Sequence, residues 1–291
     1  MATGYSQPHY LTDVETLQQT LGETDLRLFD TAVFLTPKST GGYRIDSGYQ
    51  NYQNEHIPGA GFIDLISDWS DTSSTLNFTL PSQTALAEAI GESGINQEHR
   101  VVLYSNGHLM WATRAWWLLH AAGHRNVSVL NGNLRAWKHA GLPMASGTHQ
   151  YPKTTFSAHP VNHAFANTAD VEEAIAGNVC TVNALTPELY RGDGDFYYHR
   201  RGHIPGSLNL YYDQMLDNDY FLPPSALAAS LETHGLLSAK QVIAYCGGGI
   251  AATVDGFACK LMGQHKVAVY DGSMSEWVQE HDRPLTLGAL P

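Results

Sequence analysis

The clearest apolar runs along the chain are RVVLY at 100–104, VSVL at 127–130, QVIAY at 241–245 and VAVY at 267–270. Each is short, rich in β-branched side chains and bounded by polar residues, and none alternates apolar with polar. Such runs predict strands covered on both faces, as in a parallel sheet. Between the members of each pair lies a longer stretch, TRAWWLLHAAGH or AATVDGFACKLMGQ, with helical apolar spacing and a glycine near its end. Strand, loop, helix and strand in that order predict a βαβ unit in each half of the chain. The expected fold class is α/β, with mainly parallel sheets flanked by helices.

The two halves also repeat each other. LRLFDTA, EHIPGA, RVVLYSNG and SVLNGNLRAWKHAGLP in the first half answer to VCTVNAL, GHIPGS, QVIAYCGGG and AVYDGSMSEWVQEHDRP in the second, in the same order. A duplicated domain follows: 1–143 as the N-terminal copy, a polar and weakly periodic linker at 144–168, and 169–291 as the C-terminal copy.

Composition narrows the function classes. A chain of 291 residues with 43% hydrophobic content suits two domains with real cores. With 28 acidic against 16 basic residues the formal charge is −12, which argues against nucleic acid or an anionic membrane surface as partner. The N-terminal stretch lacks the pattern of a signal peptide, and no run approaches the ~20 apolar residues of a membrane span. Cys180, Cys246 and Cys259 are too few and too scattered for a disulfide framework or a zinc site. The expectation is a soluble cytoplasmic protein with reduced thiols and no metal.

Candidate chemistry centres on Cys246, which stands between a strand ending at Tyr245 and a helix opening near Ile250. Sites in parallel α/β sheets lie at such junctions. Three glycines follow it, Gly247, Gly248 and Gly249, and then Ile250 and Ala251. Without Cβ atoms a loop can turn its N–H groups around the sulfur, beside the positive end of a helix, and hold a thiolate, the nucleophilic form. Gly248 is expected to need positive φ or to allow close anion approach. The plainer alternative is a buried cysteine before a tight turn.

His56-Ile57-Pro58-Gly59, His203-Ile204-Pro205-Gly206, Asn131-Gly132 leading to Trp137, Asp271-Gly272 leading to Trp277, and the Cys246 loop together resemble the tandem-domain rhodanese family. These are the thiosulfate and 3-mercaptopyruvate sulfurtransferases, and the likeness covers nearly the whole chain. The resemblance implies two rhodanese-like domains with the site in the second, near the domain interface. It implies that the Cys246 thiolate takes the outer sulfur of a small donor as a persulfide and hands it to a thiol or cyanide acceptor, with no cofactor. Ser105 occupies the cysteine position of the first copy and cannot carry a persulfide, so that copy is expected to be silent. Related phosphatases need an arginine in the loop to hold a phosphoryl group, and this loop has none.

The chain also departs from the family. Thiosulfate-type loops resemble C-R-K-G-V-T-A and mercaptopyruvate-type loops C-G-S-G-V-T-A. Here Gly248 replaces the serine and Ala251 the threonine. Asn183-Ala184-Leu185 stands for the family's Asp-(Ala/Ser)-Arg, and Leu189 replaces a substrate-binding arginine. Arg191, Arg200 and Arg201 stand nearby, either as a substitute donor clamp or as solvated surface charge. A sulfurtransferase is the expected function; the alternative is a sulfur-carrier or protein-binding module with little small-donor turnover. His56 and His203 are expected to hold turns, Trp137 and Trp277 to pack, and Cys180 and Cys259 to be buried. The sequence leaves the oligomeric state open.

Overall fold

The computed structural model describes residues 4–39, 42–177, 179–193 and 199–291. The four apolar runs form central strands, all buried along their length apart from Arg100 and Gln241 at the leading ends. Around them the chain builds two five-stranded sheets whose neighbours all pair in parallel. The first runs in the order Leu11–Thr12, Val127–Leu130, Arg100–Tyr104, Leu26–Asp30, Gly61–Phe62. The second repeats it as Phe165–Ala166, Val267–Tyr270, Val242–Tyr245, Cys180–Asn183, Leu208–Asn209. The two tandem parallel sheets expected from the duplication are therefore present, strand for strand.

The repeated motifs perform the same local work in each copy. Ile57 N–H donates to the Tyr104 hydroxyl at 3.2 Å, and Ile204 N–H to that of Tyr245 at 3.0 Å. His56 Nδ1 lies 2.8 Å from the Tyr52 carbonyl and His203 Nδ1 2.8 Å from that of Tyr190. Both imidazoles are buried and stacked on those tyrosines, so they hold turns. Trp137 and Trp277 are buried, each donating its indole N–H to a carbonyl just beyond its helix, at Pro143 and Pro284.

The stretch 144–168 is engaged for much of its length. Thr154, His159 and Val161 donate backbone N–H groups to Gly91, Ala122 and Ala121 of the first copy, and Phe165–Ala166 already belongs to the second sheet. In the other direction the N-terminal strap reaches over the second copy, with Gln7 N–H on the Leu261 carbonyl and the Tyr5 hydroxyl on that of Leu222.

The domains meet through the helices Met110–Ala121 and Ala252–Leu261, which follow the two matched loops. Thr113 and Thr253 face one another, hydroxyl to hydroxyl, at 2.8 Å. A Cβ on Gly256 would come within 2.9 Å of the Trp117 ring, so glycine lets the helices close. One hydrophobic cluster runs through both domains across this seam.

Counting from the paired threonines, Ala115 and Asp255 hold matching places. Asp255 is fully buried, and neither carboxylate oxygen has a hydrogen-bond partner among the described residues. Burial pushes its carboxyl well above the usual range, which keeps the acid neutral. A folded-state pKa raised above the unfolded value contributes stability below the unfolded pKa, near 4, that is lost as pH rises. Asp255→Ala should therefore gain on the wild type as pH rises from about 5 to about 8, by up to ~1.4 kcal/mol per pH unit while the folded acid stays protonated. Urea unfolding of both proteins across that range measures it; parallel curves would refute it.

Candidate active site

Cys246 leaves the strand Val242–Tyr245 and sits at the bottom of a loop that opens the helix Ala252–Leu261. The loop's carbonyls are tied outward. Cys246 O accepts from Met274 N–H at 3.0 Å, and Gly247 O from the backbone N–H and hydroxyl of Ser275 at 2.9 and 2.8 Å. Gly249 O accepts from Arg114 at 3.2 Å, and Ile250 O from the Thr253 hydroxyl at 2.7 Å. Among the described residues, no acceptor takes the N–H groups of Gly247 through Ala251. A loop with its acceptors turned away and its donors unspent is suited to an anion.

The glycine requirement falls on Gly249, not on Gly248. Gly249 has φ +74°, and a Cβ there would land on the Asp271 carbonyl oxygen. Gly248 lies outside the left-handed region, and a Cβ on it would meet only the Ser275 hydroxyl, at 3.8 Å. The expectation for Gly248 is corrected accordingly: the turn into the helix, one residue later, imposes the positive φ.

Ser273, which sequence reasoning missed, supports the cysteine from below. Its hydroxyl accepts the Cys246 N–H at 3.0 Å and donates to the Tyr270 carbonyl at 2.7 Å, at φ +49°. In the first copy Asn133 does the same for Ser105, at φ +59° and 2.5 Å. The aligned pairs Gly132-Asn133 and Gly272-Ser273 were the available signal. Asn183, where the family carries aspartate, accepts Leu185 N–H at 2.8 Å as Asp30 accepts Ala32 N–H at 2.9 Å in the first copy.

Above Cys246 opens a cleft of about 540 Å³ between the domains. The second domain supplies Cys246, Gly247, Gly248, Leu189, Tyr211 and Tyr212. The first supplies Phe78, Trp111 and an antiparallel ribbon, Val33–Pro37 with Tyr43–Ser47, that brings Leu35, Lys38 and Tyr43 to the same space. Lys38 is the one charged side chain among the described lining residues. Burial, and after it the neighbours Tyr211 and Asp213, a hydrogen bond to Tyr211 and the charge of Cys246, push the Tyr212 hydroxyl far up, so it remains neutral.

Arg191 and Arg200 do not line the cleft. Arg191 pairs with Asp193 at 2.8 Å and lies 3.7 Å from Glu188. Arg200 donates to the carbonyls of Glu280 and Arg283 at 2.6 and 2.5 Å. With Arg201 it lines a narrow crevice that shares only Leu185 and Leu189 with the cleft. Spacing had placed Arg191 and Arg200 near Leu189 in sequence, but their side chains are taken by these other contacts.

The remaining thiols are poor nucleophiles. Burial raises the pKa of both Cys180 and Cys259, the latter far above its usual value. At the equivalent loop of the first copy, the Ser105 hydroxyl accepts the Gly107 N–H at 2.9 Å and is buried. His108 Nε2 lies 3.2 Å from Asp213 across the interface. A short hairpin, Leu216–Asp217 with Tyr220–Phe221, packs on the Asn131-Gly132 turn, with the Tyr220 ring on Gly132 and the Phe221 N–H on the Asn131 side chain at 3.0 Å.

A family model described as a rhodanese-like domain matches residues 13–140 and again 186–280. The chain belongs to the rhodanese family. The 3-mercaptopyruvate sulfurtransferase of Escherichia coli K12 is 34% identical over 239 residues, 81% of this chain and 85% of that one. The thiosulfate sulfurtransferase of Cricetulus griseus is 33% identical over 239 residues, 79% and 80% of the two chains. The crystal structure of the 3-mercaptopyruvate sulfotransferase SseA from Escherichia coli superposes with a TM-score of 0.79 at 28% identity, covering 91% of this chain and 98% of that one. This rhodanese is an enzyme, a sulfurtransferase. Among its described residues no helix is long and apolar enough to cross a membrane.

Arg114, which the sequence showed only as part of a helix, ties this rhodanese's first domain to the cysteine loop. Fully buried, it donates to the Phe78 carbonyl at 2.7 Å, the Asp271 carboxylate at 2.8 Å and Gly249 O at 3.2 Å. Arg114→Met leaves a carboxylate and two carbonyls without their donor; ~3–5 kcal/mol of stability should be lost. Arg114→Lys, which keeps the charge without the fork, should lose less stability and still lower turnover about tenfold through the loosened loop. Chemical denaturation and steady-state sulfur transfer measure the two, and unchanged turnover in Arg114→Lys would exclude a hold on the loop. Gly249→Ala should cost ~2 kcal/mol or more and most of the activity, whereas Gly248→Ala should leave stability within ~0.5 kcal/mol. Equal losses at both positions would contradict the assignment.

Proposed function

We propose that Cys246 carries the transferred sulfur as a persulfide, and that the preferred donor is an organic thiol such as 3-mercaptopyruvate rather than thiosulfate. The observation that carries this reading is the loop itself: a cysteine at the base of an interdomain cleft, followed by unspent N–H groups and no fixed cation. The Cys246 thiolate attacks the donor sulfur. Its carbon–sulfur bond breaks, the electron pair passes into the neighbouring carbonyl as an enolate, and protonation gives the keto acid. The outer sulfur of Cys246–S–SH is then attacked by a cyanide or thiolate acceptor, and Cys246 leaves as the thiolate. No oxidant enters either step. The loop N–H groups supply hydrogen bonds to the donor while the apolar walls limit water.

Thiosulfate carries two negative charges and depends most on fixed positive charge. The loop offers only dipoles, Arg191 and Arg200 are spent elsewhere, and the one cation lining the cleft among the described residues, Lys38, stands on the first-domain ribbon and not in the loop. Intact mass after incubation with each donor tests the reading: 3-mercaptopyruvate should add one sulfur, removable by cyanide, and Cys246→Ser should add none. Sulfur transfer that persists in Cys246→Ser would end the proposal. Arg191→Gln and Arg200→Gln should leave the donor KM within about twofold, since exposed paired charges outside a site contribute little to binding. Gly248→Lys, for which the structure leaves room, should improve thiosulfate kcat/KM about tenfold at low salt and less near 0.15 M, where the Debye length is ~8 Å. A salt-independent gain, or none, would show that charge does not limit thiosulfate use.

A further inference from the structure

The cleft exceeds what a donor of a few heavy atoms needs. At about 540 Å³ it lies within the ~300–1,000 Å³ range of sites that enclose drug-sized ligands. Its first-domain wall is apolar and aromatic, built by Leu35, Tyr43, Ile45, Phe78 and Trp111, and Lys38 is the only charge there among the described residues. Tyr43 remains 38% exposed on the ribbon although large and aromatic. The ribbon of Val33–Pro37 with Tyr43–Ser47 lies in the chain between the strands Leu26–Asp30 and Gly61–Phe62 of the first domain, and its residues line the space over Cys246. The first domain thus lays a roomy, largely apolar chamber over the Cys246 loop.

We propose that this wall is an acceptor subsite, and that the acceptor is a small organic thiol with a flat apolar body and a carboxylate that reaches Lys38. The inference rests on the persulfide reading above. In a two-step transfer the donor's product leaves before the acceptor enters, so the acceptor has the whole cleft. Its thiolate attacks the outer sulfur of the Cys246 persulfide. A new sulfur–sulfur bond forms on the acceptor, the bond to Cys246 breaks with its electron pair on the Cys246 sulfur, and the acceptor departs as a persulfide. Burying a ring against Tyr43 and Leu35 favours such a thiol over a short polar one, and the Lys38 ammonium adds attraction for an anionic end.

The test isolates discharge from loading. Cys246 is persulfidated with 3-mercaptopyruvate, or with inorganic polysulfide if that donor fails, and the modification is mapped to the Cys246 peptide. Loss of the sulfur is then followed by mass in single turnovers with 2-mercaptoethanol, 2-phenylethanethiol and 4-(2-sulfanylethyl)benzoate, primary thiols of similar basicity. The phenyl thiol should discharge the persulfide about tenfold faster than 2-mercaptoethanol at equal subsaturating concentration. The carboxylate should add a further gain of roughly threefold that falls with salt. Lys38→Met should remove the carboxylate's advantage over the phenyl thiol, and Tyr43→Ala should shrink the phenyl advantage over 2-mercaptoethanol. Equal rates for the three thiols overturn the subsite, as does preference for a protein dithiol such as reduced thioredoxin over all of them. Failure of 3-mercaptopyruvate to load, with polysulfide loading intact, counts against the donor assignment and leaves this comparison readable.

Discussion

The buried guanidinium of Arg114 is the contact on which the rest of the architecture turns. Its charge sits in the seam between the domains, where solvation is lost, and it is held only because the Asp271 carboxylate and the carbonyls of Phe78 and Gly249 all accept from it. Two of these acceptors belong to the second domain and one to the first, so neither domain alone satisfies the charge. Asp271 also accepts the N–H of Leu80 at 2.7 Å, and its own carbonyl is the surface against which Gly249 turns. Domain docking and the shape of the cysteine loop are thereby one arrangement. A buried ion pair of this kind adds little net stability over an apolar substitute, but breaking it is costly. Its effect is to permit one docking geometry.

That geometry treats the two equivalent loops of the duplicated scaffold differently. The two loops share a strand, a helix and an under-propping side chain at positive φ, Asn133 or Ser273. They differ in what the opposite domain lays over them. The hairpin Leu216–Asp217 with Tyr220–Phe221 lies against the Asn131-Gly132 turn of the first domain, while the ribbon of the first domain lines a chamber over the Cys246 loop. Near-symmetric contacts such as Thr113 with Thr253 keep the halves in register, and the surroundings of the two loops depart from that symmetry.

Much of this was legible in the residues. Strands buried on both faces have no reason to alternate, so RVVLY and QVIAY betrayed a parallel sheet. The repeated His-Ile-Pro-Gly marked turns that hydrogen-bond to the strand-ending tyrosines. Cys246 was identifiable because strand-to-helix junctions and glycine runs are local features of the chain. Gly248 and Gly249 were harder to tell apart: three consecutive glycines look alike until a backbone carbonyl, that of Asp271, approaches one of them.

What the sequence by itself determined is the local and repeated part: the strands, the helices after each loop, the duplication, and the cysteine placed where sheet topology puts chemistry. Those depend on side-chain periodicity and backbone freedom over a few residues. Which charges meet the site was decided only by the tertiary structure. Arg191 and Arg200, near Leu189 in the chain, spend their hydrogen bonds on Asp193 and on the Glu280 and Arg283 carbonyls. Lys38, some two hundred residues from Cys246, lines its cleft. A long, flexible cationic side chain takes whichever acceptors packing leaves within reach, and nothing in the spacing of residues along the chain records that choice.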